Sequence, residues 1–513
     1  MTGIATLLPM LPDVQGARVV LDVPDTQLES ALRRAGARSV EDWAATGVGG
    51  DRGTADLILL RGPGAALHAG RAGELLAPGG TLALFVPHRS LGRRHDGALG
   101  VEQGELLLRC AGLVPHTAYG VRPDLIAPGF TVPLRPVDAL PHFATDLHRP
   151  WSTAATLAGP LLTHLPHGRE ALLPVLLLRA TAPQTGTSTR PPRLSFTDRL
   201  LADARRHLPG ADADALAALQ ISGHGGHRSY LLYSHRSPYP LAVAKVAATD
   251  AMATALSAEQ QSLERVRALP SRGEWTQQTV PEPLACWRIG TTTVLLETCL
   301  PGQQLTAKVR RRVRVGVHHA REDLALPLAW LSDLQHSSAH GTAFLLDPDL
   351  VARAAMHRPY GVPVGQWEAF AAAAAESARE RAGLPVPAVL SHGDLWPGNL
   401  LVGGPAGLAV LDWEASRPDG SPVSDLLFLL LTYLQLAETR GTTPPSLGTV
   451  LARHLLTGAT GASGTAYRLF TEHLEQLGLP AGAGPALLAH ELRSRDLSGG
   501  GGRPRAHAER SST

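Results

Sequence analysis

Lysine is almost missing from this chain: of its 47 basic residues only Lys245 and Lys308 are lysines. Composition alone would seldom put a lysine at any chosen place. Cysteine is scarce too, and Cys110, Cys286 and Cys299 lie far apart with no Cys-x-x-Cys pair. That excludes a disulfide framework and a cysteine zinc site. No run reaches the ~18 uninterrupted apolar residues of a membrane helix. The opening residues Met1–Gly16 carry neither a basic stretch nor a sustained apolar one, so no secretory signal is read there. A soluble, cytoplasmic protein without a membrane partner is expected. An excess of one charge is also lacking: 47 basic against 45 acidic residues leave a formal net charge of +2, which gives no basis for a nucleic-acid partner. Abundant Ala, Gly, Pro and Arg with so little Lys fit a GC-rich, bacterial coding sequence.

At 513 residues the chain is far longer than the ~100–200 of one domain and should hold two or three. The most informative stretch is Ser391–Glu414, SHGDLWPGNLLVGGPAGLAVLDWE. Asp394 can accept a proton from an attacking hydroxyl, while Asn399 and Asp412 can hold the Mg²⁺ ions that screen a transferred phosphate. The five-residue step from Asp394 to Asn399 is that of the H-R-D-x-x-x-x-N catalytic loop, and the apolar run Leu408–Leu411 then delivers Asp412. The stretch resembles the aminoglycoside phosphotransferase and choline kinase family, whose catalytic loop reads HGD and whose metal loop reads DWE. The resemblance implies Asp394 as catalytic base, Asn399 and Asp412 as metal ligands, and His392 as a scaffold of the loop. It also implies Asp425, in SPVSDLLFLL, as the acid that opens the next helix and braces the loop.

Lys245 agrees from far upstream. It ends the apolar run LAVAKVA, where a kinase-like third strand presents a lysine to the α- and β-phosphates; the rigid fork of an arginine would substitute poorly there. Before it, Gly223, Gly225 and Gly226 of ISGHGGHRSY could form the hairpin tip that covers the phosphates. After it, Glu259 in AEQQSLERVRAL is the expected helical partner of Lys245, with Glu264 as competitor. VLLETCLPG resembles the hinge strand of the family, with backbone near Glu297 and Cys299 available to adenine. The histidine pairs His318/His319 and His336/His340 have no acid or cysteine to complete a metal site and read as surface or packing residues.

Residues 1–182 alternate strand-like and helix-like runs (ARVVLDV, TQLESALRRAG, ADLILLRG, GELLAPGGTLALFVP, QGELLLRCAGLVP), as a doubly wound parallel sheet requires. ELLAPGGTLALFVP, LLLRCAGLVPHTAYGV and the late strand LLPVLLLRATAP resemble class I S-adenosylmethionine methyltransferases. The family's cofactor turn needs glycines after the first strand. Here LDVPDTQLES has Asp22, no glycine, and Pro24, which removes a donor. A domain without cofactor is therefore expected, serving substrate capture, kinase docking of a pathway partner, or dimerisation.

The expected architecture is an α/β, methyltransferase-like doubly wound sheet (1–182), a Pro/Thr/Ser-rich linker (183–195), and an α+β two-lobed protein-kinase-like domain (196–493, divided at residue 300). A disordered tail (494–513) ends the sequence given. The expected function is ATP- and Mg²⁺-dependent transfer of the γ-phosphoryl to a hydroxyl of a small molecule or natural product, in biosynthesis or resistance. The alternatives are a kinase acting on Ser/Thr of a precursor peptide before dehydration, a nucleotide-binding scaffold without turnover, and a bifunctional methyltransferase-kinase. A choline-like acceptor would need an aromatic cage, for which Trp396, Trp413 and Tyr433 are the candidates.

Overall fold

The computed structural model describes residues 11–22, 25–44, 52–62, 64–87, 99–122, 130–135, 175–183, 193–208, 216–222, 228–234, 239–247, 249–310, 319–439, 444–457 and 464–494. The chain divides into two compact units, residues 1–253 with 284–299 and residues 254–283 with 300–513.

The first unit begins as an α/β sandwich built from β1 (Arg18–Leu21), α1 (Thr26–Arg34), β2 (Ser39–Asp42), β3 (Ala55–Arg61), α2 (Ala69–Leu75), β4 (Leu76–Pro87), α3 (Val101–Cys110), β5 (Val114–Arg122), β6 (Phe130–Arg135) and β7 (Val175–Thr181). The continuous apolar runs of β3 and β4 are buried on both faces, as strands covered by helices must be. Leu28 and Leu32 of α1 pack on one face with Val19, Leu57 and Phe85. Ala69 and Ala72 of α2 and Leu108 of α3 pack on the other with Val20, Ile58 and Leu84. The sheet is doubly wound as expected, but it is not wholly parallel. Strands β2, β1, β3 and β4 run parallel, whereas β7 lies between β4 and β5 antiparallel to both. An apolar run reveals that a strand is buried; it does not carry the strand's direction.

The sheet does not stop at residue 182. After α4 (Phe196–Ala204) come β8 (Leu216–Ser222), β9 (Arg228–Ser234), β10 (Ala242–Ala247) and, following α5 (Asp250–Arg267), β11 (Pro283–Ile289) and β12 (Thr292–Thr298). They join the earlier strands in one twelve-stranded sheet of order β11-β12-β10-β9-β8-β6-β5-β7-β4-β3-β1-β2. β6 meets β8 antiparallel at Thr131 and Gln220. The expected boundary at 183–195 thus falls inside one unit. Of that segment, residues 184–192 lie outside the described residues, while Ser195 is fully buried.

The second unit is mainly helical: α6 (Leu305–Arg310), α7 (Ala320–Ser338), α8 (Pro348–Ala355), α9 (Val364–Glu380), α10 (Pro422–Glu438), α11 (Leu447–Leu451), α12 (Thr465–Gln476) and α13 (Gly484–Ser494). Two small sheets accompany them, β13 (Gln303–Gln304) with β16 (Leu400–Gly404) and β17 (Gly407–Val410), and β14 (His340–Leu345) with β15 (Pro385–Ser391) and β18 (Arg417–Gly420). One apolar core runs through the unit, from Leu263 and Trp275 to Leu426, Phe470 and Leu488. The loop from β15 to β16 carries the HGD motif, and β17 leads straight into Asp412. The tail beyond Ser494 lies outside the described residues, and no described helix is long and apolar enough to cross a membrane.

Candidate active site

In the helical unit the HGD loop is fixed by groups that leave it little freedom. Asp425, fully buried in the first turn of α10, accepts the backbone N–H of His392 at 2.6 Å and of Gly393 at 2.9 Å. His392, also fully buried, points Nε2 at the Leu411 carbonyl at 2.8 Å. A carbonyl only accepts, so Nε2 carries the proton and Nδ1 is the acceptor, which the Asp394 N–H meets at 3.2 Å. Gly393 has φ +82°, and a Cβ there would come within 2.3 Å of the Ala415 carbonyl oxygen. No other residue type fits that turn.

Asp394 and Asn399 face each other. Asn399 Nδ2 donates to the Asp394 carbonyl at 3.0 Å and to its carboxylate at 3.2 Å. With the amide nitrogen spent in this way, Asn399 Oδ1 is the atom turned elsewhere, and an amide oxygen is a hard donor suited to Mg²⁺. The Asn399 carbonyl in turn accepts the Leu411 N–H at 2.9 Å, which ties the end of the HGD loop to the residue before Asp412. Asp412 is exposed and, among the described residues, is the one non-glycine with positive φ (+61°). A carboxylate held in left-handed backbone at the end of a buried strand is aimed by the fold. Its donor set with Asn399 is all oxygen and fits a Mg²⁺ ion that would neutralise phosphate charge. Behind it, Trp413 is fully buried with its ring 4.7 Å from that of His392, and its backbone N–H donates to Glu259 Oε1 at 3.2 Å.

In the sheet unit, Lys245 stands on β10 with Nζ 3.2 Å from Glu297 Oε1 on the neighbouring strand β12. Both side chains are largely buried. Lys245 pairs directly with Leu295 and Val243 with Glu297, so the ion pair is the diagonal contact on one face of the ladder. The Cys299 N–H donates to the Leu241 carbonyl at 3.3 Å; that donor of the expected hinge is engaged within the sheet. β8 and β9 pair antiparallel out to Ser222 and Arg228. Gly223, Gly225 and Gly226, between those partners, lie outside the described residues.

Residues 220–455 match the model of the phosphotransferase enzyme family. No curated protein matches the chain. Among solved structures, an aminoglycoside phosphotransferase, APH(3'')-Id, from Streptomyces rimosus ATCC10970 is 18% identical, covering 54% of this chain and 98% of its own, with a TM-score of 0.27. Choline kinase LicA from Streptococcus pneumoniae is 16% identical over 57% and 98%, at 0.27. A candidate methyltransferase from Bacillus halodurans C-125 is 12% identical over 35% and 99%, at 0.21. Likeness at these scores carries no weight here; the residues do.

The phosphotransferase match spans Lys245, Glu259, Glu297 and the whole HGD-to-DWE stretch. Two contacts in it escaped sequence reasoning. Glu297, expected to offer only backbone, presents its carboxylate to Lys245, and Glu259 presents its own to the backbone after Asp412. Glu264, the competitor, is exposed and accepts from Gln260 Nε2 at 2.7 Å. The aromatic cage has to be corrected: Trp413 and Tyr433 are 0% and 1% exposed and belong to the core, so Trp396, at 38%, is the one candidate of the three open to a ligand. Among the described residues no group of three or more His, Cys, Asp or Glu could hold a metal ion.

At the C-terminal ends of the parallel strands, where a doubly wound sheet binds its ligand, Asp22 Oδ2 accepts the Arg61 N–H at 2.5 Å and Asp25 Oδ2 holds the Arg61 guanidinium at 2.9 Å. Nearby Trp43 packs against His68, with the Arg71 guanidinium 5.4 Å above its ring.

Proposed function

We propose that this chain is a phosphotransferase that moves the γ-phosphoryl of ATP, with Mg²⁺, to a hydroxyl of a small molecule. The observation that carries the reading is the Asp394–Asn399 pair: a half-buried carboxylate held 3.2 Å from an amide that turns its oxygen away, on a loop pinned by Asp425. Asp394 orients the acceptor hydroxyl and takes its proton. Asn399 and Asp412 hold the metal, which screens phosphate charge. Lys245, kept in place by Glu297, and the loop of Gly223, Gly225 and Gly226 hold the phosphates. Glu259 steadies the segment that carries Asp412, and His392 and Asp425 set the loop's shape. Little covalent chemistry is asked of the protein; positioning and charge do the work.

Residues 1–182, in the same reading, bind no S-adenosylmethionine. The turn after β1 has no glycine, and Asp22 and Asp25 are both engaged with Arg61.

The test is Asp394→Asn. Turnover, followed as slow ATP hydrolysis or as phosphate incorporation across a panel of hydroxyl acceptors, should fall by ~10²-fold or more, the scale of a lost general base. Calorimetric affinity for Mg·ADP should stay within about threefold, because the base touches the acceptor and not the nucleotide. Retained turnover removes Asp394 from the mechanism.

A further inference from the structure

The junction between the N-terminal region and the nucleotide strands is built as a latch. Arg179, 7% exposed on β7, sends Nη2 to Asp198 Oδ2 at 2.7 Å and Nη1 to Ser195 Oγ at 3.1 Å. Those two acceptors are the capping box of α4: the Asp198 N–H donates to Ser195 Oγ at 3.1 Å, and the Ser195 N–H to Asp198 Oδ2 at 2.9 Å. A second set of contacts backs the first. Arg193 donates to the carbonyls of Asp13 and Gln15 at 2.9 and 2.7 Å, the Asp13 N–H donates to the Leu194 carbonyl at 3.2 Å, and Arg199 reaches the Asp13 carboxylate at 3.3 Å. Burial alone would raise the Asp198 carboxyl, but the Arg179 charge and the Ser195 bonds outweigh it and hold the acid below its ordinary range.

What the latch holds is the face of the nucleotide strands. Leu200 and Ala204 of α4 form one cluster with Leu216 and Ala218 of β8, Tyr230 and Leu232 of β9, and Ala244 and Val246 of β10. The opposite face is shared as well, since Ala217, Leu219 and Tyr233 belong to the same core as Leu178, Ala180 and Ala182. The hairpin β8–β9 and the Lys245 strand are thus gripped on one side by a helix whose N-terminus is bolted to β7, and the hairpin is gripped on the other by a core continuous with the N-terminal strands.

We infer that Arg179, acting through Ser195 and Asp198, is a positioning residue for nucleotide, and that the N-terminal region is the built-in brace of the phosphate hairpin and not a separable module. This rests on the phosphotransferase reading for the word nucleotide, and on geometry alone for the brace.

The experiment uses the full chain. Arg179→Met, which keeps length but loses the fork, should weaken Mg·ADP binding about tenfold, the equivalent of one charge-assisted bond. ATP hydrolysis at saturating nucleotide should stay within about twofold, because Asp394 lies elsewhere. Amides of Leu216–Ser222 and Arg228–Ser234 should lose exchange protection. Arg179→Lys, which keeps the charge but not the planar fork that spans the two acceptors, should fall between, and Arg33→Ala, on the exposed Glu29 pair of α1, should change neither readout. Should Arg179→Met fail to fold, Asp198→Asn carries the same comparison. Lower thermal stability with unchanged Mg·ADP affinity and unchanged protection of the two strands overturns the inference. If the wild-type chain binds no Mg·ADP, the phosphotransferase reading falls, and strand protection alone then decides the brace.

Discussion

Replacing Asp425 by Asn tests whether the HGD loop is held from behind as the geometry requires. The carboxylate is fully buried and accepts two backbone donors, His392 N at 2.6 Å and Gly393 N at 2.9 Å. A hydrogen bond to a charged acceptor contributes ~1.5–3 kcal/mol, and a buried donor left without partner costs ~1–3 kcal/mol. Asn keeps one acceptor oxygen, so one bond survives in weaker, neutral form. The other donor then meets an amide NH₂, donor against donor, beside a fully buried side chain. The expected loss is about 3 kcal/mol of stability. It should be read in the helical unit by urea unfolding followed through tryptophan emission, because the fully buried tryptophans Trp275, Trp330 and Trp413 all lie there. Turnover should fall more steeply than stability suggests. Asp394 is the next residue along from Gly393, and misplacing a catalytic group by ~1 Å costs on the order of 10²-fold. Affinity for Mg·ADP should change little in the fraction that stays folded. A variant that loses less than about 1 kcal/mol and keeps full turnover would show that the loop holds its shape without Asp425.

The two lysines separate phosphate binding from packing. Lys245→Ala should raise the Michaelis constant for ATP and lower turnover, whereas Lys308→Ala should leave both alone while costing about 1 kcal/mol, because Lys308 is part-exposed and pairs at 3.3 Å with the buried Asp323; equal loss of ATP affinity from both would misplace the phosphate lysine. His473 gives a pH dependence: buried in α12, with Nε2 on Gln335 at 2.9 Å, it has its pKa pushed down to about 3 by burial and by His336. Between the ordinary value of 6.5 and about 3 the unfolded chain binds a proton that the folded chain does not, so stability should fall as pH drops through that window, by at most about 1.4 kcal/mol per unit. His473→Gln should flatten that slope in urea titrations at pH 7, 6 and 5, and an unchanged slope would place the titrating group elsewhere.

The parts of the site that a sequence displays are those whose geometry is local. Asp394, Asn399 and Asp412 fall within nineteen residues, and their partners are one loop and two short strands, so spacing alone carries the arrangement. Asp425 follows on the next helix and is legible for the same reason. Glu297 was not legible as the partner of Lys245, because only the register of β10 on β12 makes the two diagonal neighbours. Glu259 stood at a recognisable helical spacing, yet its contact with Trp413 spans 154 residues, a distance over which sequence carries no geometry. Of the expected linker only the two ends are described, residues 184–192 lying outside the described residues, and its C-terminal end is where composition and the committed polar groups say different things. Pro, Thr and Ser dominate residues 183–195 and read as exposed chain. The decisive side chains are Arg193, Ser195 and Asp198, and they obey a different rule: Ser195 and Asp198 stand three apart at the mouth of an apolar run, the signature of a helix start. A helix start that is also fully buried must have its polar groups answered. In this protein the answer comes from Arg179, on a strand belonging to the other half of the sheet. A segment's average polarity says whether it can be wet, while the partners of its few committed polar groups say where it is, and those partners are what join the N-terminal strands to the strand that bears Lys245.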